Sequence, residues 1–397
     1  MSLADKISSL PDPTGKGSIE VVGDEAIVKD VVLDYELADD WSEVFHLFKL
    51  NPDRFELSDD TVSCKTWQTS KGLEDGTRST IQLYSYSARF KLKPKERLSD
   101  EEIEKRRKQL RSWKLPAARL MALHDGSPVA AVINLADVQG GKSEGGGVAA
   151  TQKRLLDGLE NVQRWLDRQR ETYNIAEVVL VNNGDPLEGC DGSYASQLFT
   201  VELNLRGQMN FVLDMWELYA KQLFPQFDNA QFVSVLCNHG QLSRQKGRDN
   251  VTSDSDNAGG FLAETLKRVL DARPEFGHVD WVIPHDEMNV YTTAAGVPMA
   301  FNHGHKIPTS GRDGFEKWLG GQVRGNDDAY RSKIWQTAHR HHFAAWDLGS
   351  CTVFQAPSLD GGSKWFRDSS GSYSRSGILT YLVGEHSPLG WSDLAFL

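Results

Sequence analysis

From residue 128 onward the chain repeats one local event: a short apolar run stops, and a residue able to hold a metal or a proton follows. PVAAVINLA (128–136) stops at Asp137-Val138-Gln139, and EVVLVNN (177–183) stops at Gly184-Asp185. QFVSVLC (231–237) stops at Asn238-His239, and VPMAF (297–301) at Asn302-His303-Gly304-His305. IWQTA (334–338) stops at His339-Arg340-His341-His342. Runs this apolar read as strands buried on both faces, as in a parallel sheet. Open α/β sheets bind their ligands beyond the carboxyl ends of such strands. One such ending is a turn; a series of them on one edge of a common sheet predicts a site.

Helical periodicities separate the runs. Thr151–Tyr173 carries Leu155, Leu159, Val162 and Leu166 at helical spacing, and Thr200–Phe224, Phe261–Leu270 and Phe315–Leu319 also read as helices. The late runs IWQTAH, TVFQAP (352–357) and GILTYLV (377–383) have no long helix between them. A chain that begins βαβ and finishes antiparallel predicts an α/β fold, a two-sheet sandwich flanked by helices, four layers in all.

Residues 119–397 form that domain. Residues 1–16, rich in Ser, Pro, Asp and Gly, read as a flexible N-terminus. Residues 17–94 alternate in hydropathy and are β-branched, which predicts a small β-rich accessory domain; Asp39 and Asp40 can cap a short helix, WSEVFHLFKL, within it. Trp41, Trp67, Tyr84 and Tyr86 read as its core rather than as a stacking platform. Residues 95–118 are charged throughout and read as a linker helix capped at Ser99-Asp100.

The formal charge of -11 argues against a protein that coats nucleic acid by bulk electrostatics. It does not exclude an enzyme that cuts nucleic acid, because divalent ions invert the local charge of an acidic site. No apolar run is long enough to span a bilayer, and the N-terminus lacks a basic start and apolar core, so neither a membrane nor a secretory route is expected. The cysteines (Cys64, Cys190, Cys237, Cys351) are scattered without a CxxC, which fits a reduced, cytoplasmic protein.

Hard oxygens with imidazoles, and no thiolates, suit Mn, Fe, Zn or Mg. In extended backbone residues i and i+2 face the same way, so Asp137 and Gln139 can share one site and His339 and His341 can face it from another strand, with His342 turned away. A carboxylate between two such clusters can bridge ions about 4 Å apart, the spacing of two-metal phosphoester hydrolysis. GGKSEGGG (140–147) lacks the GxxxxGK[ST] spacing of a nucleotide loop, and reads as a flexible segment at the pocket mouth from which Lys142 contacts phosphate. Arg244, with Lys246 and Arg248, can clamp a substrate phosphate. Trp365-Phe366, in a long Gly/Ser loop, can stack on a base or pack.

The order Asp137-x-Gln139, Gly184-Asp185, Asn238-His239, His303, His339-x-His341 resembles the calcineurin-like metallophosphoesterase superfamily, over about residues 128–357. Within it the chain looks most similar to Mre11/SbcD-type DNA-repair exonucleases and phage-encoded phosphoesterases, which would place it in a host cytoplasm if phage-encoded. The resemblance implies two divalent metal ions, Mn first among them. Asp137, Asp185 and His341 would hold one, with Gln139 where the pattern usually has His. Asp185 would bridge to the other, held by Asn238, His303 and His339, with His305 as the alternative to His303. A bridging hydroxide would attack phosphorus, and His239 would serve as the catalytic acid. The implied activity is phosphodiester hydrolysis by a DNA nuclease; the alternatives are a phosphodiesterase or phosphatase on small nucleotides, or a non-catalytic binding module. An ATPase partner of the Rad50/SbcC kind is implied by resemblance only. Cys237 and Ala338 stand where Gly usually precedes the Asn-His and His-x-His pairs.

Overall fold

The structure is a computed structural model that describes residues 17–22, 25–37, 40–48, 52, 55–58, 61–72, 78–92, 99–112, 126–190, 197, 200–244, 250–362 and 374–397. The N-terminal segment 1–16, Lys246, Arg248, Trp365 and Phe366 lie outside the described residues. The chain divides into two compact units, Met1–Arg97 and Leu98–Leu397. Among the described residues no helix is long and apolar enough to cross a membrane. All the cysteines are free.

The first unit is one sheet. Strands β1 (Ser18–Val22), β2 (Glu25–Leu33), β3 (Phe55–Leu57), β4 (Ser63–Gly72) and β5 (Arg78–Leu92) join in the order β1-β2-β5-β3, with β4 on the other part of β5. A short helix α1 (Ser42–Leu47) supplies Val44 and Phe45 to its core. Trp41 packs edge-on against Phe90 at 5.0 Å, and it and Tyr86 are buried as expected. Trp67 departs from that expectation and is exposed, because β4 pairs on one edge only and presents its side chains outward.

In the second unit, helix α2 (Asp100–Arg111) comes first, with a capping box formed by Ser99 and Glu102. Two of its arginines are engaged within the unit: Arg107 pairs with Asp214 at 2.9 Å, and Arg106 donates to Gln152 at 2.8 Å. The elements that follow are β6 (Val129–Leu135), α3 (Gly147–Gln169), β7 (Ile175–Asn182), α4 (Leu205–Leu223), β8 (Asn229–Ser234), α5 (Ala258–Asp271) and β9 (Val279–Val282). Then come β10 (Val290–Ala294), β11 (Val297–Phe301), α6 (Gly311–Gln322), α7 (Asp327–Arg331), β12 (Ile334–Thr337), β13 (Ala344–Asp347), β14 (Thr352–Gln355), β15 (Leu379–Val383) and β16 (Trp391–Phe396).

They form two sheets, β16-β15-β6-β7-β8-β9 and β10-β11-β12-β14-β13. Strands β6 to β9 run parallel, as do β11, β12 and β14. The continuous apolar runs are explained by what covers each face. Along β6, Val129, Ala131, Ile133 and Leu135 pack toward α3, α4 and α5, while Ala130 and Val132 pack toward the second sheet. Along β7, Val178 and Leu180 face the helices, and Val179 and Val181 face Phe301, Ile334 and Phe354. The far side of the second sheet buries Ala300, Trp335 and Val353 against Phe315 and Leu319 of α6 and Ala329 of α7. The layers are therefore helix, sheet, sheet, helix, the architecture expected of the sequence.

The strands the sequence did not announce are β9, β10, β13 and β16, which are short or half-exposed. The β10–β11 hairpin closes on Ala295-Gly296, both at positive φ (43° and 83°), the backbone of a tight two-residue hairpin turn written without the usual Asn-Gly.

Leu180 is fully buried in the helix-facing layer, so Leu180→Ala should lower the free energy of unfolding by about 3 kcal/mol, read as a lower urea midpoint at unchanged slope.

Candidate metal centre

Both parallel sets of strands end at one place. Asp137 follows β6, Asp185 follows β7, Asn238 and His239 follow β8, His303 follows β11, and His339 and His341 follow β12. The backbone there is unusual. Asp137, Gln139, Asp185, His339 and His341 all have positive φ, between 44° and 69°. A non-glycine residue in that region costs on the order of 1 kcal/mol or more, and is held only where its surroundings over-determine it. This corrects the i, i+2 argument from extended backbone: the alternate residues of Asp137-Val138-Gln139 and of His339-Arg340-His341 are turned by left-handed backbone, not by strand pleat.

The two carboxylates are buried, Asp137 at 0% and Asp185 at 1% relative exposure. Each has one oxygen fixed by a backbone amide from a histidine loop. The His239 N–H donates to Asp185 Oδ1 at 2.9 Å, and the His339 N–H donates to Asp137 Oδ2 at 3.1 Å. The other oxygens, Asp185 Oδ2 and Asp137 Oδ1, are buried and accept no hydrogen bond.

Imidazoles converge on those oxygens. His303 Nδ1 donates to the Asn183 carbonyl at 3.0 Å, which leaves Nε2 as the nitrogen facing Asp185 Oδ2, 2.9 Å away. With a proton on Nε2 the two form a buried ion pair, and Asp185 lifts the His303 imidazole above its usual range against its burial. Two donor atoms about 2.1 Å from a shared cation and at right angles to each other stand about 3 Å apart, so the spacing is that of two ligands of one ion. The ligand atoms of Asp185, His303 and His339 all lie within 4.8 Å of one another. Asn238 adds Oδ1, buried and without a hydrogen bond. Asp137 Oδ1 is 4.0 Å from His303 Nε2 and 3.4 Å from His341 Nε2. This mixed oxygen–imidazole donor set fits a divalent cation at Asp185, His303 and His339.

The electrostatics agree. Burial pushes the Asp137 carboxyl up against the pull of His341 and His303. Burial also acts on Asp185, but the imidazoles of His303, His239 and His339 outweigh it and hold the carboxyl well below its usual range. Burial and the neighbouring His303 push His339 down to about 2. His341 is lifted to about 9, because Asp137 and Asp360 overcome its burial. The pocket thus draws positive charge to itself, as protons or as a cation.

Gly184 makes the approach of His303 feasible. Its φ is 97°, and a Cβ there would lie 2.3 Å from His303 Nδ1. His305 sits beside the cluster with its ring centre 5.5 Å from that of His303. His342 is exposed, as expected, and donates from Nδ1 to the Arg340 carbonyl.

His239 is anchored beside the cluster. Its Nδ1 donates to the Glu188 carbonyl at 2.7 Å, and the Glu188 carboxylate, fully buried, comes within 4.0 Å of the same nitrogen. Arg244 lies half-buried in an isolated bridge with Asn250.

Two expectations are corrected. Lys142 does not reach phosphate from a flexible loop: it is 5% exposed, ion-paired with Asp360 at 2.5 Å, and donates to Gln139 Oε1 at 2.8 Å. Its glycine-rich segment is fixed by packing, since a Cβ on Gly145 would lie 2.3 Å from the Asp360 carbonyl. The Gln139 carbonyl oxygen is the acceptor of the bond from Lys142. Asp360 and Glu188 were not singled out in the sequence. Asp360, fully buried, lies 3.5 Å from His341 Nδ1, and orients the imidazole whose Nε2 meets Asp137. The signal for it was one more acidic residue beyond a parallel strand, five residues after β14 ends.

No family model matches the chain, and no curated protein matches it. Solved structures to which it is similar include a conserved uncharacterized protein, a predicted phosphoesterase, from Streptococcus pneumoniae TIGR4 (10% identity, TM-score 0.26, 64% of this chain and 82% of that one). Others are Vps29 complexed with zinc from Entamoeba histolytica (11%, 0.25, 63% and 84%) and a novel archaeal phosphodiesterase (9%, 0.30, 67% and 99%). Likeness at this level leaves the reading of the site to its own geometry.

Gly184→Ala should weaken Mn2+ binding at least about tenfold in calorimetric titration, because the methyl must displace His303 and the residue is strained at positive φ. Unchanged affinity would remove His303 from the ligand set.

Proposed function

We propose that the chain is a metal-dependent phosphoester hydrolase that cleaves phosphodiesters, with DNA as its substrate. The observation that carries this is the cluster of Asp185, His303 and His339 at the strand ends, whose ligand atoms all lie within 4.8 Å of one another. A proton held between Asp185 and His303 accounts for that pair alone; a shared cation also accounts for the His339 imidazole brought beside them. Asp185, Asn238, His303 and His339 would hold it. Bound there, a divalent cation supplies Lewis acidity toward a phosphoryl oxygen and makes ionised water accessible at neutral pH.

The chain's own residues supply the rest. The His239 backbone amide fixes Asp185, so the acid and the metal-holding carboxylate are placed by one residue. With Nδ1 held by the Glu188 carbonyl, Nε2 is the nitrogen through which His239 gives a proton to the leaving oxygen. A binding module would need no such residue. Arg244 would add positive charge for the diester.

The polymer substrate rests on the likeness of motif order to repair exonucleases. The net charge of -11 favours a second reading, a small nucleotide or cyclic diester, because a polymer is attracted by basic surface.

Bis-p-nitrophenyl phosphate should be hydrolysed with Mn2+ and not after chelation. Asp185→Ala should abolish both metal binding and turnover. His239→Ala should keep the metal and lose about 10²–10³-fold in kcat. A folded, metal-loaded wild type without diesterase activity would sink the enzyme reading. Comparing single- and double-stranded DNA with cyclic nucleotides then chooses between the substrates.

A further inference from the structure

The motif order implies two ions, but the residues of the first position do not fit that role. Its own ligands would be Asp137, Gln139 and His341. Lys142 has only N–H donors, so the Gln139 atom that faces it at 2.8 Å is the carbonyl oxygen, the one atom of that side chain able to ligate a metal. The remaining NH2 only donates. Gln139 is 3% exposed and Lys142 5%, so no solvent competes for this bond.

The ammonium is locked in place. Asp360 pairs with it, and the loop carrying Asp360 is tied to the loop carrying Lys142 by Arg154, whose Nε donates to the Leu359 carbonyl and Nη1 to the Gly145 carbonyl, both at 2.9 Å. Lys142 also forms a backbone bridge with Val201. Freeing Gln139 for a metal would leave a buried ammonium short of an acceptor.

The other position is differently built. Asp185 Oδ2, His303 Nε2 and Asn238 Oδ1 are all buried and accept or donate nothing. Each half keeps one buried carboxylate oxygen without a hydrogen bond, Asp185 Oδ2 and Asp137 Oδ1, but their side-chain amides differ: Asn238 Oδ1 accepts nothing, while Gln139 Oε1 is spent on an internal cation.

We propose that this chain holds one tightly bound divalent ion, at Asp185, Asn238, His303 and His339, and that Lys142, by taking the Gln139 carbonyl, is a built-in cation that weakens the second position at Asp137 and His341. The proposal rests on the metal-dependent reading above and concerns its stoichiometry.

The test is metal content. Chelator-stripped protein is titrated with Mn2+, followed by calorimetry and by elemental analysis after desalting. One ion per chain should survive desalting, with any second bound at least tenfold more weakly. Gln139→His keeps the Lys142–Asp360 pair and restores an imidazole, and should strengthen the second ion at least tenfold. Lys142→Met should strengthen it as well, if circular dichroism shows that it folds. Two ions of similar affinity in the wild type would overturn the proposal, as would a Gln139→His variant whose second ion is no tighter. No ion at all in the folded wild type would instead sink the metal-dependent reading itself.

Discussion

Two carboxylates that are almost wholly removed from water, and still lack a full set of partners, govern this structure. A buried charge needs pairing or a metal. Asp137 and Asp185 each receive one backbone amide from a histidine at a strand end: His239 after β8, the neighbour of β7, and His339 after β12 of the facing sheet. That arrangement demands loops in close register. It is why the strand ends of both sheets must meet at one edge, and why left-handed backbone recurs at Asp137, Asp185, His339 and His341. The strain is sustained by two cores. The helix-facing layer fixes β6, β7 and β8, and the layer between the sheets fixes β11 and β12 against them.

Much of this was legible in the sequence, because the parallel strands are covered on both faces and so appear as unbroken apolar runs with abrupt polar ends. β6, β7, β8, β11, β12, β14 and β15 could all be read that way, and Asp137, Asp185, His303, His339 and His341 do come together. The edge strands β9, β10, β13 and β16 were not legible, since a half-exposed strand of a few residues has neither a run nor a clear alternation. Backbone handedness was hidden too. The extended-strand argument grouped Asp137 with Gln139, yet a left-handed φ at each sends the Gln139 side chain to Lys142.

Lys142 is the instructive failure. Its neighbours in sequence are glycines, and a lysine among glycines suggests an exposed, mobile cation. Lysine is buried only when paired, and its partner Asp360 is more than two hundred residues away, beyond β14. Local composition cannot report such a pair. The glycines themselves had another cause, the close packing of the two loops against each other, as at Gly145 under the Asp360 carbonyl.

Once Asp360 is assigned to Lys142, the charges of the pocket fall into pairs. Glu188 stands by His239, and the imidazole becomes its counter-charge when protonated. Asp137 and Asp185 remain, two negative charges on the face where the orphaned atoms converge. One divalent ion neutralises them. A second would lie on the side of the pocket where the Lys142 ammonium is already buried, and like charges repel strongly at low dielectric. The glutamine at 139 and the buried lysine beside it are therefore one arrangement. The lysine, buried among polar groups, takes the glutamine's carbonyl and the Asp360 carboxylate as its acceptors, and so places a fixed positive charge beside Asp137 and His341.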